Sequence, residues 1–498
     1  MLFESFKRLR AEHPSEPAFL VSSGDRYVPI SWRQFTDDIA LVSRLVRAHA
    51  VGGKVALLGE NSYEWMVAHA AIVFSGATAV SLDVNLSSEE IAERLRFVGA
   101  VALVHSSLHA EKAKAAGALA PGVIVAGFGS IRTEHFLSKI RAAFSNDAAD
   151  DLWDRSAPLV DTTRATSMIV FTSGTTSKPR GVELTLESVE TFCDWTQTCL
   201  PMTRGDHSVM LLPLYHIFGL STTYLMLAKG VALGVCPDFR RIYDVFERFR
   251  VSFAFLVPAL AEILAGKIAQ HGASAEEATG CPIDWILVGG APLPRRTYER
   301  LLALGVKAIT GYGLTETAAA YSMTPFTADA PFGAQGAASR ARGVETKVSD
   351  AGELMIKGPC VMKGYYRDAE ATRRVLDADG WFHTGDIGRI DENGFVYVTG
   401  RASRTIVLSS GKKVAPEEIE EKLLSLPGLL EARVTGEGET REIRAEVYAS
   451  TGEESARRVI AALNLRLPVY QRISKVVVRK EPFPRTSSGK IKVEKETR

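Results

Sequence analysis

Met168-Ile-Val-Phe-Thr-Ser-Gly-Thr-Thr-Ser-Lys-Pro-Arg-Gly181 passes from an unbroken apolar run into a loop of small and hydroxylated residues. Its last eleven positions, from Phe171, hold two glycines and five hydroxyl residues. The apolar start reads as a buried strand and the remainder as a flexible loop. Glycine lets a backbone approach a ligand closely, and free N–H and O–H donors suit anionic oxygens. Lys178 and Arg180 add positive charge. A loop of this make suits phosphate, although it lacks the Gly-x-x-x-x-Gly-Lys-Ser/Thr pattern of Walker loops.

Outward from this strand, helical and strand patterns alternate. Residues 35–50 have helical spacing, Val55-Ala-Leu-Leu58 is a short apolar strand, residues 65–75 are helical, and Thr78-Ala-Val-Ser-Leu82 is a second strand. Ser87-Ser-Glu-Glu90 is a capping box opening an amphipathic helix to Phe97. Val101-Ala-Leu-Val104 and Val123-Ile-Val-Ala126 continue the alternation, which resumes at residues 252–257, 285–288 and 306–310. Such units build parallel sheets covered by helices, an α/β architecture. The last two strands are expected to end in glycine-bearing turns, Gly289-Gly290 and Gly311-Tyr-Gly313. Ligands bind where loops of this kind gather at strand C-termini.

The pattern changes after about residue 345, where Gly352-Glu-Leu-Met-Ile-Lys357 and Gly394-Phe-Val-Tyr-Val-Thr-Gly400 alternate as antiparallel strands do. A boundary is expected at Gly400-Arg401, dividing a large unit, 1–400, from a small α/β unit, 401–498. In the latter, Ala415-Pro-Glu-Glu-Ile-Glu420 opens a helix with proline first and acids in the first turn.

At 498 residues the chain exceeds one ordinary core, so two or more domains are expected. Its 46% apolar and 23% charged content is that of a soluble globular protein. A net charge of +1 makes no global case for nucleic-acid binding. Cys193, Cys199, Cys236, Cys281 and Cys360 are scattered, without a CxxC pair or a histidine at metal spacing. They suggest buried thiols in a reducing compartment. Met1-Leu-Phe-Glu-Ser-Phe-Lys-Arg8 carries charge where a signal peptide needs an apolar core. Residues 217–236, the most apolar stretch, are interrupted by Lys229 and by small or polar residues, and make a weak membrane candidate. A cytoplasmic enzyme without an integral membrane segment is the expectation.

Several further segments carry chemistry a plain fold does not need. Pro213-Leu-Tyr-His-Ile-Phe-Gly219 sets one histidine among apolar residues, and Gly289-Gly-Ala-Pro-Leu293 is a tight turn. Gly311-Tyr-Gly-Leu-Thr-Glu316 offers an aromatic face, a hydroxyl and a carboxylate. Trp381-Phe-His-Thr-Gly-Asp386 places an acid after a turn, and Pro484-Arg-Thr-Ser-Ser-Gly-Lys490 is a loop near the C-terminus. Residues 471–498 hold nine Lys/Arg against three Asp/Glu, a solvated face or one that meets phosphates.

In order and spacing, these segments resemble the adenylate-forming superfamily of acyl- and aryl-CoA synthetases, firefly luciferase and peptide-synthetase adenylation domains. The motifs carrying the resemblance span about residues 165–495. It implies a large domain of helix-covered, mainly parallel sheets with a distorted β-barrel subdomain, followed by a small mobile C-terminal domain. It implies that Thr172, Ser173, Gly174, Thr175, Thr176 and Lys178 grip the β- and γ-phosphates of ATP. Gly290, Ala291 and Pro292 would border the adenine, and Tyr312, with Gly313 beside it, would stack on it. Thr315 would bond the α-phosphate, Glu316 would hold Mg2+, and Asp386 would accept the ribose hydroxyls with Arg401 assisting. Lys490 would bridge the substrate carboxylate and the α-phosphate, and His216 would sit beside the acyl pocket.

The implied reaction needs these residue types. A carboxylate attacks the α-phosphorus of ATP, so two anions must be brought together, and Lys490 offsets their repulsion. The acyl-adenylate then meets a thiol, and in such enzymes the small domain rotates between the steps. Ser177 and Arg180 stand where the family's loop has glycine and lysine, and Ser403 stands at the hinge where an acid or lysine is usual. Altered rather than abolished rotation is expected. The small domain also looks shortened around residues 435–440.

The segment after His216 has no acid, and an unpaired ammonium in an apolar pocket is costly, which disfavours amino-acid substrates. Thr317-Ala-Ala-Ala320 leaves room for an acyl chain or ring, or is simple packing. The expected activity is ligation of a fatty acid to CoA with ATP and Mg2+. An aryl acid, or transfer to an acyl carrier protein's phosphopantetheine, is the alternative. Lys412 or Lys413 would meet CoA phosphates. The expected partners are small molecules, with no nucleic acid, and the chain is expected as a monomer or homodimer.

Overall fold

The computed structural model describes residues 1–23, 26–129, 152–154, 163–172, 180–235, 242–271, 276–277, 280–281, 283–409, 412–438 and 442–484. Met168–Thr172 is a strand, parallel to Thr78–Leu82 on one side and antiparallel to Arg180–Leu184 on the other. Together they lie in a seven-stranded sheet ordered Gly364–Tyr365, Arg180–Leu184, Met168–Thr172, Thr78–Leu82, Lys54–Leu58, Ala102–Ser106, Ile124–Gly129. The strands expected at residues 55–58, 78–82, 101–104 and 123–126 are all present, and they run parallel to one another and to Met168–Thr172. The Ser87 capping box is formed: Glu90 N–H donates to Ser87 Oγ at 3.2 Å, and Ser87 N–H donates to Glu90 Oε2 at 2.8 Å.

Two helices, Tyr63–Phe74 and Ile217–Ala228, are buried along their whole length. Both are mostly apolar all round, as suits a helix enclosed in a large core, with Glu64, His69, Ser221, Thr222 and Thr223 as the buried polar exceptions. The second answers the membrane question raised by residues 217–236. Its 12 residues make a helix of about 18 Å, against a hydrocarbon core of about 30 Å. No described helix is long and apolar enough to cross a membrane.

A four-stranded sheet ordered Arg26–Ser31, Pro17–Ser23, Ala232–Val235, His207–Met210 packs beside a five-stranded one. The five-stranded sheet begins with the parallel strands Phe253–Leu256, Trp285–Val288 and Lys307–Leu314. Gly289-Gly290 does end its strand, with Gly290 at φ +82°. Gly311-Tyr-Gly313, expected as a turn, instead stays in strand Lys307–Leu314 and pairs antiparallel with Ala319–Met323. The glycines serve close approach here rather than reversal. A Cβ on Gly313 would lie 1.6 Å from Ala319 O, and the register shifts between Tyr312 and Gly313.

The β-rich part expected as a distorted barrel is an open antiparallel sheet: Glu345–Val348, Glu353–Lys357, Phe382–Ile390, Val396–Arg401. Its outer strands do not pair with each other, so no closed barrel forms among the described residues. One edge meets the five-stranded sheet through a bridge between Ala337 and Phe395. After Arg401, helix Pro416–Leu424 has its proline at the first turn. It packs with strands Leu429–Glu437, Glu442–Ala449 and Lys475–Arg479 around a buried cluster running from Ile406 to Ile473.

Candidate active site

Strand Met168–Thr172 delivers Thr172 to a cleft, and Arg180 stands opposite it in register across the hairpin. Ser173, Gly174, Thr175, Thr176 and Lys178, between them in the chain, lie outside the described residues, as does Lys490. The Arg180 guanidinium sits 5.3 Å from the Tyr365 ring centroid. Tyr365 in turn donates its hydroxyl proton to Glu316 Oε1 at 2.8 Å. Burial, with Glu316 adding to it, pushes the Tyr365 pKa up, so this hydroxyl stays a donor. Glu316 follows strand Lys307–Leu314 in the short turn Thr315–Thr317. The turn is fixed by Leu314 N–H donating to Thr317 Oγ1 at 3.0 Å and by Met362 N–H donating to Glu316 O at 2.8 Å.

Two residues here went unread in the sequence. Tyr365 orients the carboxylate expected to hold metal, and nothing in its local spacing marks it. Arg94, from helix Ser88–Val98, lines the same cleft and lies 5.5 Å from the Phe171 ring centroid. Its Nη1 donates to Glu90 O at 2.9 Å, and burial draws its pKa below the ordinary guanidinium value.

The residues expected at the ribose, Asp386 and Arg401, lie together with Tyr312. Asp386, 3% exposed, faces Arg401 across strands Phe382–Ile390 and Val396–Arg401. Arg401 Nε lies 2.6 Å from Asp386 Oδ1, and Arg401 Nη1 donates to Thr384 O at 3.2 Å. The Tyr312 hydroxyl donates to Asp386 Oδ2. The Tyr312 ring meets Tyr321 edge-on, with centroids 5.1 Å apart. Burial pushes the Tyr312 pKa up, with Tyr321 and Asp386 adding to the shift, so Tyr312 also remains a donor.

His216 caps the buried helix Ile217–Ala228. Its Nδ1 accepts from Phe218 N–H at 3.3 Å, so the neutral ring carries its proton on Nε2. Phe218 abuts the end of strand Trp285–Val288, where a Cβ on Gly289 would lie 2.9 Å from Phe218 Cζ. Gly290, Ala291 and Pro292 come next in the chain, on the cleft surface. Of the small residues after Glu316, Ala318 is fully buried and its carbonyl accepts from Ser221 Oγ at 3.0 Å, while Ala319 and Ala320 line the cleft.

The cleft has a volume of about 2810 Å³. That exceeds a single small-molecule pocket, commonly about 300–1,000 Å³, and leaves room for more than one substrate. Thr172, Arg180, His216, Gly290, Gly313, Thr315, Glu316 and Arg401 all line it, and Glu417, Glu418, Glu420, Glu421 and Lys422 of the C-terminal part reach it as well. Tyr312 and Asp386 lie in strands that wall it, turned to each other. Thr172, Arg180 and Glu316 are thereby brought to one cleft, with the Asp386–Arg401 pair in its wall.

Comparison with known proteins shows the family. The family model described as AMP-binding enzyme matches residues 6–366. A 4-coumarate–CoA ligase of Oryza sativa is 30% identical over 491 residues, covering 91% of this chain and 84% of that protein. A long-chain-fatty-acid–CoA ligase of Mycobacterium tuberculosis is 29% identical over 459 residues, covering 89% and 87%. Among solved structures, ATP-bound MatB of Rhodopseudomonas palustris superposes with a TM-score of 0.83 at 25% identity, covering 99% of this chain and 97% of that one. O-succinylbenzoate coenzyme A synthetase of Bacillus subtilis, in complex with ATP and magnesium, does so with a TM-score of 0.79 at 25% identity, covering 98% of each. The chain therefore belongs to the AMP-binding enzyme family.

Proposed function

We propose that the protein ligates a fatty acid to the thiol of CoA in two steps driven by ATP. In the first, a carboxylate oxygen attacks the α-phosphorus and pyrophosphate leaves. In the second, the thiol sulfur attacks the acyl carbon, the acyl C–O bond breaks and AMP leaves. The observation that carries this reading is the single cleft in which Thr172, Arg180, Thr315 and Glu316 stand with the Asp386–Arg401 pair behind them. Hydroxyls and a guanidinium suit phosphates, and a buried carboxylate suits a vicinal diol.

Within that reading, Thr172 with Ser173, Gly174, Thr175, Thr176 and Lys178 cradles the β- and γ-phosphates, and Thr315 donates to the α-phosphate. Gly290, Ala291 and Pro292 border the adenine with Tyr312 and Gly313. Asp386 exchanges its contact with Tyr312 for the ribose hydroxyls. Lys490 lies between the two anions that must meet. No cluster of three or more His, Cys, Asp or Glu able to hold a metal occurs among the described residues. Glu316 fits Mg2+ in the way this ion usually binds beside nucleotides, through one carboxylate and phosphate oxygens. When bound, Mg2+ neutralises charge on the departing pyrophosphate.

We read residues 401–498 as a small mobile domain carrying Lys490, with its hinge at Arg401–Ser403. The separate buried cluster from Ile406 to Ile473 supports this reading. Lys412 and Lys413, both exposed, are assigned to CoA phosphates. An aryl acid is the second reading, favoured by the 30% identity to a 4-coumarate–CoA ligase. A carrier-protein phosphopantetheine is the alternative acceptor. Four buried free cysteines among the described residues fit a reducing, cytoplasmic setting.

The test is pyrophosphate release with ATP and Mg2+ across fatty, aryl and amino acids, with and without CoA. Release that requires a fatty acid and accelerates with CoA supports the assignment. Release with aryl acids alone shifts the substrate class, indifference to CoA shifts the acceptor, and silence with every acid overturns the reading.

A further inference from the structure

We infer that Asn61 is a positioning residue for the acid-binding side of the cleft, an assignment that rests on the ligase reading above. Asn61 lies just past strand Lys54–Leu58, at the carboxyl end of the seven-stranded sheet. Its Nδ2 donates to Met210 O at 3.1 Å and to Leu212 O at 2.8 Å, and its Oδ1 accepts from Leu214 N–H at 2.9 Å. Both amide protons and one oxygen lone pair are thus spent on a segment about 150 positions away in the chain. That segment is the exit of strand His207–Met210 and the turn leading into His216.

The same turn is held rigidly against the helix Ile217–Ala228. His216 N–H donates to Pro213 O at 3.0 Å, and His216 O accepts from Leu220 N–H at 3.0 Å. A Cβ on Gly219 would lie 2.3 Å from Pro213 O and 2.7 Å from Leu212 O, so the first turn of the buried helix is pressed onto these two carbonyls. A displacement of residues 212–214 is therefore passed to His216 and Phe218, both of which line the cleft. Asn61 itself does not line it and acts only through these neighbours.

The side chain is hard to replace. Aspartate is nearly isosteric but turns two donors into acceptors facing two carbonyl oxygens. Alanine leaves Met210 O, Leu212 O and Leu214 N–H without their partner. Misplacement of a substrate-positioning group by even an ångström costs large factors in rate.

The experiment uses the full chain and compares wild type, Asn61→Ala, Asn61→Asp, His216→Ala and the Asn61→Ala/His216→Ala pair. The KM for the acid is expected to rise about tenfold in both single Asn61 variants while the KM for ATP stays unchanged. In the His216→Ala background, Asn61→Ala is expected to add little, because the two act as one unit. Equal rises in both KM values, or independent and additive effects, would overturn the inference. Amide hydrogen exchange gives an activity-independent readout: faster exchange confined to residues 211–218 in Asn61→Ala supports positioning, and unchanged exchange there refutes it. Should wild type activate no acid at all, the ligase reading fails, while the exchange data still decide whether Asn61 positions this turn.

Discussion

The Tyr312 hydroxyl donates to one oxygen of Asp386, whose other oxygen lies 2.6 Å from Arg401 Nε. A buried carboxylate is thus satisfied from both sides by groups that would have to yield or share it under the proposed ribose assignment. Asp386→Ala is expected to raise the KM for ATP about tenfold or more, since hydrogen bonds to charged groups contribute about 1.5–3 kcal/mol. Tyr312→Phe keeps the ring and frees the carboxylate, so a much smaller change is expected. Pyrophosphate-release kinetics at varied ATP check both, and an Asp386→Ala enzyme with wild-type KM removes the ribose assignment.

Tyr365 holds Glu316 from 2.8 Å, and Glu316 is the proposed metal carboxylate. Tyr365→Phe deletes only the hydroxyl. The magnesium concentration for half-maximal activity is expected to rise about tenfold, as when outer partners of metal-binding carboxylates are removed. Titration of activity with Mg2+ at saturating ATP measures it.

Gly313 and Ala319 touch across the hairpin. Gly313→Ala puts a Cβ 1.6 Å from Ala319 O, a backbone clash that no side-chain rotation relieves. Loss of soluble folded protein is the expected outcome. Ala319, at φ +103°, occupies backbone space that L residues rarely adopt. Ala319→Gly is expected to relieve about 1 kcal/mol of strain and raise the melting temperature by about 2 °C. The soluble yield of Gly313→Ala and calorimetry on Ala319→Gly check the two opposite signs.

His69 is fully buried, stacked on Trp65 at 5.2 Å and joined to Tyr224 OH through Nδ1 at 2.9 Å. Its Nε2 has no hydrogen-bond partner among the described residues. Burial holds the imidazole pKa down at about 3, against 6.5 in an unfolded chain. Between those values the unfolded chain binds one proton more, so stability is fully present above pH 6.5 and declines as the pH falls toward 3. The slope from this group approaches about 1.4 kcal/mol per pH unit. Denaturant melts at several pH values should show it, and His69→Gln should reduce the slope by one proton.

Lys490→Ala is expected to abolish most pyrophosphate release while leaving thioester formation from supplied acyl-adenylate largely intact. Its proposed task, offsetting repulsion between carboxylate and α-phosphate, belongs to the first step alone. Equal loss of both half-reactions contradicts that task.

Local chemistry makes much of this fold legible in the sequence. The apolar run ending at Thr172, the Ser87–Glu90 cap and Pro416 at the start of its helix are all short-range signals, and each appears where the sequence places it. Tyr365 and Glu316 are 49 positions apart, and Asn61 lies about 150 from its partners, distances over which spacing says nothing about pairing. Gly311-Tyr-Gly313 misled because glycine marks both turns and close strand contacts, and only the partner strand Ala319–Met323 decides between them. Alternation after residue 345 announced antiparallel strands, but whether their edges would close into a barrel depends on pairing that alternation does not encode.

Two-step ligation as proposed requires the acid's own oxygen to attack the α-phosphorus. Turnover with a fatty acid labelled with oxygen-18 in its carboxylate, followed by mass spectrometry of the products, is the decisive measurement. Two-step ligation through an acyl-adenylate predicts that one labelled oxygen appears in AMP for each thioester formed. Label in inorganic phosphate or pyrophosphate, with none in AMP, would contradict it.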